Sequence, residues 1–245
     1  MAAQLVATVA RLFRFPVKSM GGEDLEQASL YWHGVEGDRR QVFVKTGDLS
    51  TFPWLTARDV PGMLRYSAYL VDPTSPRQSA VRVRTPDGED LAVEDESLLA
   101  ALERQYDAPV HLMRTSRGAQ DAAGVSVIGL GTLRALGDRI GKSLDVRRFR
   151  QNIYLETVDG QPDVEDGWVG RALVFGGSGD GDGAARVRLL RPDHRCMIVN
   201  LDPEQAVQDP AVLREIAQSR DNRAGLYGSV EALGPIRVGD PVYLV

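Results

Sequence analysis

The chain has 245 residues, enough for a substantial core in one broad domain or two small ones. Its 43% hydrophobic and 26% charged residues are ordinary for a soluble globular enzyme, and a net charge of −5 argues against generic nucleic-acid binding while allowing a local basic site. One cysteine excludes an intrachain disulfide and any four-thiolate zinc or iron–sulfur site within these residues; nothing marks the chain as secreted, so a reducing cytoplasm is the expected compartment.

Leu5, Val6, Val9, Leu12 and Phe13 lead into Phe15-Pro16-Val17 as a first strand. Residues 1–15 carry arginines and no acids, as a transit peptide does, but the strand pattern makes them the first element of the fold. No apolar run approaches the ~18 residues of a membrane span. Pro16-Val17-Lys18-Ser19 turns into Met20-Gly21-Gly22, and strands are expected at Ala28 to Trp32 and Gln41 to Lys45, around a turn from Gly34 to Gly37. Leu55 to Arg58 opens a short turn or helix that Pro61-Gly62 is expected to end. Tyr66 to Val71 and Ala80 to Arg84 read as a strand pair, Ser97 to Tyr106 as a helix presenting Leu98, Leu99 and Leu102, and His111 to Met113 as a short strand.

Arg114 to Gly124 is polar and small, the composition of an inter-domain linker. Beyond it come a strand at Val125 to Ile128, a helix at Thr132 to Ile140 and a strand at Ile153 to Leu155. The glycine–aspartate run 176–183 reads as a solvated hairpin tip, with Asp180 and Asp182 at most weak calcium ligands. Val187 to Leu190 and Met197 to Leu201 read as strands around a tight connection stiffened by Pro192. Asp209-Pro210 supplies an N-cap and first-turn proline for a helix to Ser219, and Ile236 to Val245 a closing strand pair around Gly239-Asp240. Without repeats or strand–helix alternation, the expected class is a mostly antiparallel β protein with a few helices.

The familiar motifs fail. Gly137 to Ser143 ends in Gly-Lys-Ser but is one residue short of a Walker loop and follows a helix. A zinc site would need His33, His111 and His194 to converge without supporting spacing. Cys196 follows Pro192, Asp193, His194 and Arg195; neighbouring positive charge favours a thiolate that attacks electrophiles or binds soft metals, although a buried spare cysteine is an equal reading. Lys18, Arg39, Arg58, Arg148, Arg150 and Arg195 all stand at element ends, beside Ser19, Gly37, Thr56 and Asn152. Each alone is usually a solvated charge, but together with turn amides such residues hold phosphates and anionic cofactors. The residues thus suggest a thiolate beside an anion pocket, without specifying the anion.

In order, Phe15-Pro16-Val17-Lys18-Ser19, Gly37-Asp38-Arg39, Leu55-Thr56-Ala57-Arg58, Arg148-Phe149-Arg150-Gln151-Asn152, Arg195-Cys196, Leu201-Asp202-Pro203, Gly225-Leu226-Tyr227-Gly228 and Val238-Gly239-Asp240-Pro241-Val242 form a series. It resembles that of MOSC-domain proteins with an N-terminal MOSC β-barrel domain, nearest the mitochondrial amidoxime-reducing components and their bacterial counterparts, over about Val9 to Val245. The resemblance implies an α+β, mostly β fold: a barrel-like N-terminal domain over residues 1–115, and a MOSC β-barrel domain over 116–245 with a few peripheral helices. It implies molybdenum cofactor, a phosphate-bearing molybdopterin dithiolene, with Cys196 as thiolate ligand to molybdenum and catalytic residue. Lys18, Ser19, Arg39, Arg150 and Asn152 would contact pterin and phosphate; Arg58, Arg148 and Arg195 would do so or serve substrate or packing. The implied activity is two-electron reduction of small N-hydroxylated substrates, amidoximes and hydroxylamines. Electrons would come from a separate ferredoxin, flavoprotein reductase or cytochrome, because the chain has no flavin motif and no cysteines for a cluster. The alternatives are a cofactor carrier or sulfur-handling module, in which Cys196 holds a persulfide or delivers intact cofactor without turnover, and a binding scaffold that keeps the motifs without molybdenum. No nucleic-acid partner is expected. The sequence departs from the family at Gln151, where proline is usual, and at Gly129, where a small hydroxyl is common.

Overall fold

The computed structural model describes residues 3–177 and 183–245; Asp180 and Asp182 lie outside the described residues. The chain begins with β1 (Gln4–Arg14), β2 (Glu23–Leu25), β3 (Gln27–Tyr31), β4 (Gly34–Val35), β5 (Gln41–Lys45), β6 (Ser67–Leu70), β7 (Val81–Arg84) and β8 (Asp90–Ala92). Helix α1 (Glu96–Tyr106) and β9 (Val110–Arg114) follow, then β10 (Val125–Gly129), α2 (Leu130–Arg139), β11 (Ile153–Thr157), β12 (Ala172–Phe175) and β13 (Ala185–His194). Helix α3 (Pro210–Arg220), β14 (Arg223–Ala232), β15 (Gly234–Arg237) and β16 (Pro241–Leu244) complete it.

Seven strands close a barrel in the order β1, β11, β10, β14, β13, β12, β16 and back to β1. All neighbours are antiparallel except β10 and β11. Alternate residues such as Ala7, Val9, Leu12, Val127, Leu155, Val187, Leu226 and Val242 fill its core, and closure leaves no unpaired edge within the ring. The first strand is therefore a barrel stave, although most of the N-terminal segment builds other layers. There, β5 pairs β9 and β6 pairs β7, while α1 buries Leu98 and Leu102 against Phe43, Met63 and Val83. Asp95 caps α1 by accepting from the Ser97 N–H at 2.9 Å.

Four expectations need correction. Pro61 opens the 3₁₀ turn Pro61–Arg65 instead of ending a helix, because at a first position its missing N–H has no partner to lose. β13 runs on through Pro192 to His194, with register shifts on both sides of Arg191 and Pro192 that accommodate a residue unable to donate to the ladder. Met197–Asn200 is a 3₁₀ turn, not a strand. The closing strands do not pair with each other: β15 joins β3, whereas β16 joins β1 and β12.

The supposed linker is fixed in place. Ala119 is buried and donates its N–H to the Arg39 carbonyl at 2.7 Å, and Thr115 donates to the Arg40 carbonyl at 2.8 Å. Among the described residues, no helix is long and apolar enough to cross a membrane.

Candidate functional site

A cavity of about 440 Å³ opens between the N-terminal layers and the barrel. Lys18, Ser19, Arg39 and Arg58 line it from the first half of the chain; Arg150, Asn152, Arg195 and Cys196 line it from the second. Cys196 is exposed and starts the 3₁₀ turn after β13. Its connection is held by Asn222, which accepts from the Arg195 N–H at 2.9 Å and donates from Nδ2 to the Arg195 carbonyl at 2.8 Å. Arg148 is not in the cavity wall. Its guanidinium donates to the Asn200 carbonyl and to Asp202 Oδ2, each at 2.9 Å, so it ties two turns together.

The cations are held by backbone oxygens as well as by carboxylates. Lys18 Nζ donates to the Ala119 carbonyl and to Asp121 Oδ1, both at 2.6 Å. Arg39 donates to Asp38 Oδ2 at 2.5 Å and to the Arg150 carbonyl at 2.9 Å. Arg150 donates from Nη1 to the Met20 carbonyl at 2.8 Å, but its buried Nη2 has no partner. Arg195 pairs with Asp193 and donates to the Phe149 carbonyl at 2.5 Å, leaving Nε without a partner. Ser19, Arg39 and Arg150 adopt left-handed backbone at φ 67°, 51° and 52°, a conformation disfavoured for side-chain-bearing residues and often concentrated at functional sites. Asn152 serves the frame: Oδ1 accepts from the Ser126 N–H at 3.3 Å, and Nδ2 donates to the Phe13 carbonyl at 3.2 Å.

Charge is unbalanced here. Burial, reinforced by Arg39, brings the Arg150 guanidinium down to about 9. Burial likewise lowers the Lys18 ammonium; Asp121 opposes this while Arg39 and Arg150 add to it. For Asp121, burial pushes upward, but Lys18, Arg39 and Arg58 together outweigh it and hold the carboxyl below its usual range. Both partners of the Lys18–Asp121 pair thus shift downward, as expected where one carboxylate serves several cations. An anion bound among these cations would offset the imbalance.

The two departures from the family pattern have local causes. Gln151 donates its N–H to the Tyr154 hydroxyl at 3.2 Å, which proline could not, and its Nε2 to Asp193 Oδ2 at 2.7 Å. A Cβ at Gly129 would come within 2.9 Å of Glu165 Oε2, and Glu165 Oε1 accepts the Gly129 N–H at 3.1 Å. Sequence reasoning missed Asp121, Gln120 and Asp193. The first two lie in the segment read as linker, and no local pattern announces that it folds into the cavity.

A closed barrel and an N-terminal β layer, sharing strands and a cationic cavity with one thiol, define a two-module β protein. The profile described as MOSC domain matches residues 114–243, and that described as MOSC N-terminal beta barrel domain matches residues 6–125. The chain belongs to the MOSC domain family. Its fold is similar to that of the YuaD protein from Bacillus subtilis, at 13% identity and TM-score 0.51, covering 99% of this chain and 98% of the other. A likeness to YiiM from Geobacillus stearothermophilus covers 50% of this chain and 54% of that one, at 22% identity and TM-score 0.37. No curated protein matches the sequence.

MOSC domains in general are associated with molybdenum cofactor binding, and the residues present fit that group. No cluster of three or more His, Cys, Asp or Glu among the described residues could hold a metal ion by itself. As a ligand to molybdenum, Cys196 would add one soft thiolate to the soft donors that a dithiolene brings with it. Lys18, Arg39, Arg58, Arg150 and Arg195, which line the cavity, suit its phosphate and pterin oxygens.

Proposed function

We propose that this protein holds molybdenum cofactor through Cys196 and reduces N-hydroxylated compounds, such as amidoximes and hydroxylamines, with electrons from a separate donor. The observation that carries this reading is the chain's single thiol lining a cavity that Lys18, Arg39, Arg58, Arg150 and Arg195 also line. Lys18, Arg39, Arg150 and Arg195 would bind the anionic and carbonyl oxygens, with Ser19 presenting its hydroxyl beside them. Asn152 would keep β1 and the β11 entrance in register. When bound, the cofactor supplies a two-electron centre able to accept oxygen from an N–O bond. His194, exposed and lining the same cavity, is placed to pass a proton to the departing oxygen as water forms. Tyr227 lines the cavity too; burial, reinforced by Asp193, raises its phenol, so it remains an O–H donor. Arg58, against Phe52, is suited to meeting substrate.

Expression in a cofactor-competent host, followed by metal analysis of parent and Cys196→Ala, tests the ligand assignment. The variant is expected to fold and to lose molybdenum, because an exposed thiol contributes little to packing; equal molybdenum ratios would defeat the assignment. The loaded parent is expected to reduce benzamidoxime with reduced viologen and not with NADH alone, since splitting a hydride into single electrons needs a flavin-type cofactor. The exposure of Cys196 also supports a second reading, a carrier or persulfide module. Release of cofactor to an acceptor apoenzyme, without reduction above the Cys196→Ala background, would select it.

A further inference from the structure

The protein carries a net charge of −5, yet arginines gather on one face around Tyr31, Trp32 and His33. The Arg77 guanidinium lies 3.7 Å from the centre of the Tyr31 ring, and that of Arg117 lies 5.0 Å from the Trp32 ring. Arg114 donates from Nη2 to the Arg77 carbonyl at 2.7 Å, and Arg40 donates from Nε to the Thr115 carbonyl at 3.2 Å. Trp32 keeps 52% of its surface exposed, and Arg77, Arg114 and Arg117 are exposed with it. Burial and then Arg114 and Arg77 lower the Arg40 guanidinium; Glu36, paired with Arg77, is the carboxylate that opposes them. These cations repel one another, and the barrel core does not need them.

The patch shares a wall with the cavity. Arg39 lines the cavity, whereas the next residue, Arg40, belongs to the patch. Segment 114–121 runs alongside both, through the Thr115–Arg40 and Ala119–Arg39 backbone hydrogen bonds. It carries Arg114 and Arg117 on the patch and Gln120 and Asp121 in the cavity.

We infer that this patch docks the acidic face of a one-electron carrier protein, the donor required by the reductase reading, on which this inference rests. An exposed tryptophan flanked by arginines is the composition of an interface anchor. Complementary charge steers a short-lived encounter, as repeated electron delivery requires. Docking here would bring the carrier against a wall of the cavity. These 245 residues contain one cysteine and so hold no iron–sulfur cluster of their own. Nucleic acid suits the patch less well: the chain is acidic overall, and Arg77 and Arg117 already cover a face of the two rings on which bases would stack.

The test uses an acidic plant-type [2Fe–2S] ferredoxin as probe and biolayer interferometry as readout, at low and near-physiological salt. The parent is expected to bind, more weakly as salt rises. Arg114→Glu/Arg117→Glu should weaken binding by about tenfold or more, and the milder Arg117→Gln and Trp32→Ala should weaken it without altering the melting curve. The same variants should slow ferredoxin-driven turnover but leave viologen-driven turnover unchanged. Absence of binding by the parent, unchanged affinity in folded variants, or tighter binding of a DNA duplex would overturn the proposal. Charge-dependent ferredoxin binding by a loaded parent that viologen cannot drive would uphold the docking surface and overturn the reductase reading.

Discussion

Arg39 donates to the backbone carbonyl of Arg150 at 2.9 Å, and the two guanidinium groups lie 4.9 and 4.4 Å from the centre of one Phe15 ring. Two like charges, 111 residues apart in sequence, are thus held against the same aromatic ring. Cation–π attraction and the hydrogen bonds offset part of their repulsion, and an anion in the cavity would offset more of it.

Arg150→Met keeps most of the volume and removes the charge. Cofactor retention is expected to fall about tenfold to a hundredfold, the equivalent of one lost charge-assisted contact. The ligand-free variant should melt no lower than the parent, since relief of the Arg39 repulsion offsets the lost bond to the Met20 carbonyl. Molybdenum content after gel filtration and calorimetry of the ligand-free protein check the two halves.

Lys18 makes stability depend on alkaline pH. Its folded pKa lies below the ordinary 10.5, so in the interval up to 10.5 the unfolded chain binds more protons than the folded one. Stability of the ligand-free protein should therefore rise with pH through that interval, as the buried charge is relieved. Lys18→Met should make the rise shallower, leaving the part due to Arg150, whose guanidinium is brought down to about 9 and acts in the same alkaline range. Urea denaturation from about pH 8 upward, in both proteins, reads the difference.

Arg148→Ala separates frame from cavity. It removes the donors to the Asn200 carbonyl and Asp202 Oδ2, so stability should fall by about 1–3 kcal/mol. Because Arg148 does not line the cavity, the molybdenum-to-protein ratio of the remaining folded variant should match the parent. A lower ratio at unchanged stability would return Arg148 to the binding residues.

Gly34→Ala tests the joint that carries segment 114–124. Gly34 sits at φ +121°, and an added Cβ would run into the Gly124 carbonyl oxygen, which is backbone and cannot swing aside. Destabilisation by more than about 2 kcal/mol is expected, measured by denaturant unfolding. Limited proteolysis should then open first near Gly124.

Much of the wall was legible because each candidate residue lies in a short run of unusual composition. Lys18 and Ser19 follow Phe15-Pro16-Val17, Arg150 and Asn152 share one basic run, and Arg195 adjoins the sole cysteine. The structure brings these runs to one cavity, together with Arg39 and Arg58. Arg148 lay in the same run as Arg150, and composition could not tell them apart. Arg148 belongs to a 3₁₀ turn, whereas Arg150 is its left-handed cap, so the two side chains leave the backbone in different directions.

By itself, then, the sequence determined the β-rich class, the three helices seen among the described residues and the residue types that line a cationic cavity, because periodicity, caps and charge are local properties. Asp209-Pro210 caps its helix and Leu98 and Leu102 face a core whatever lies elsewhere in the chain. Tertiary structure alone decided that β1 closes the barrel with β11 and β16, that β15 and β16 part into different sheets, and that Asp121 reaches Lys18. Each of these joins residues more than a hundred positions apart, or separates neighbours. Such choices are set by which hydrogen-bonding edge and buried surface are available once the layers meet, and no short run of residues encodes that.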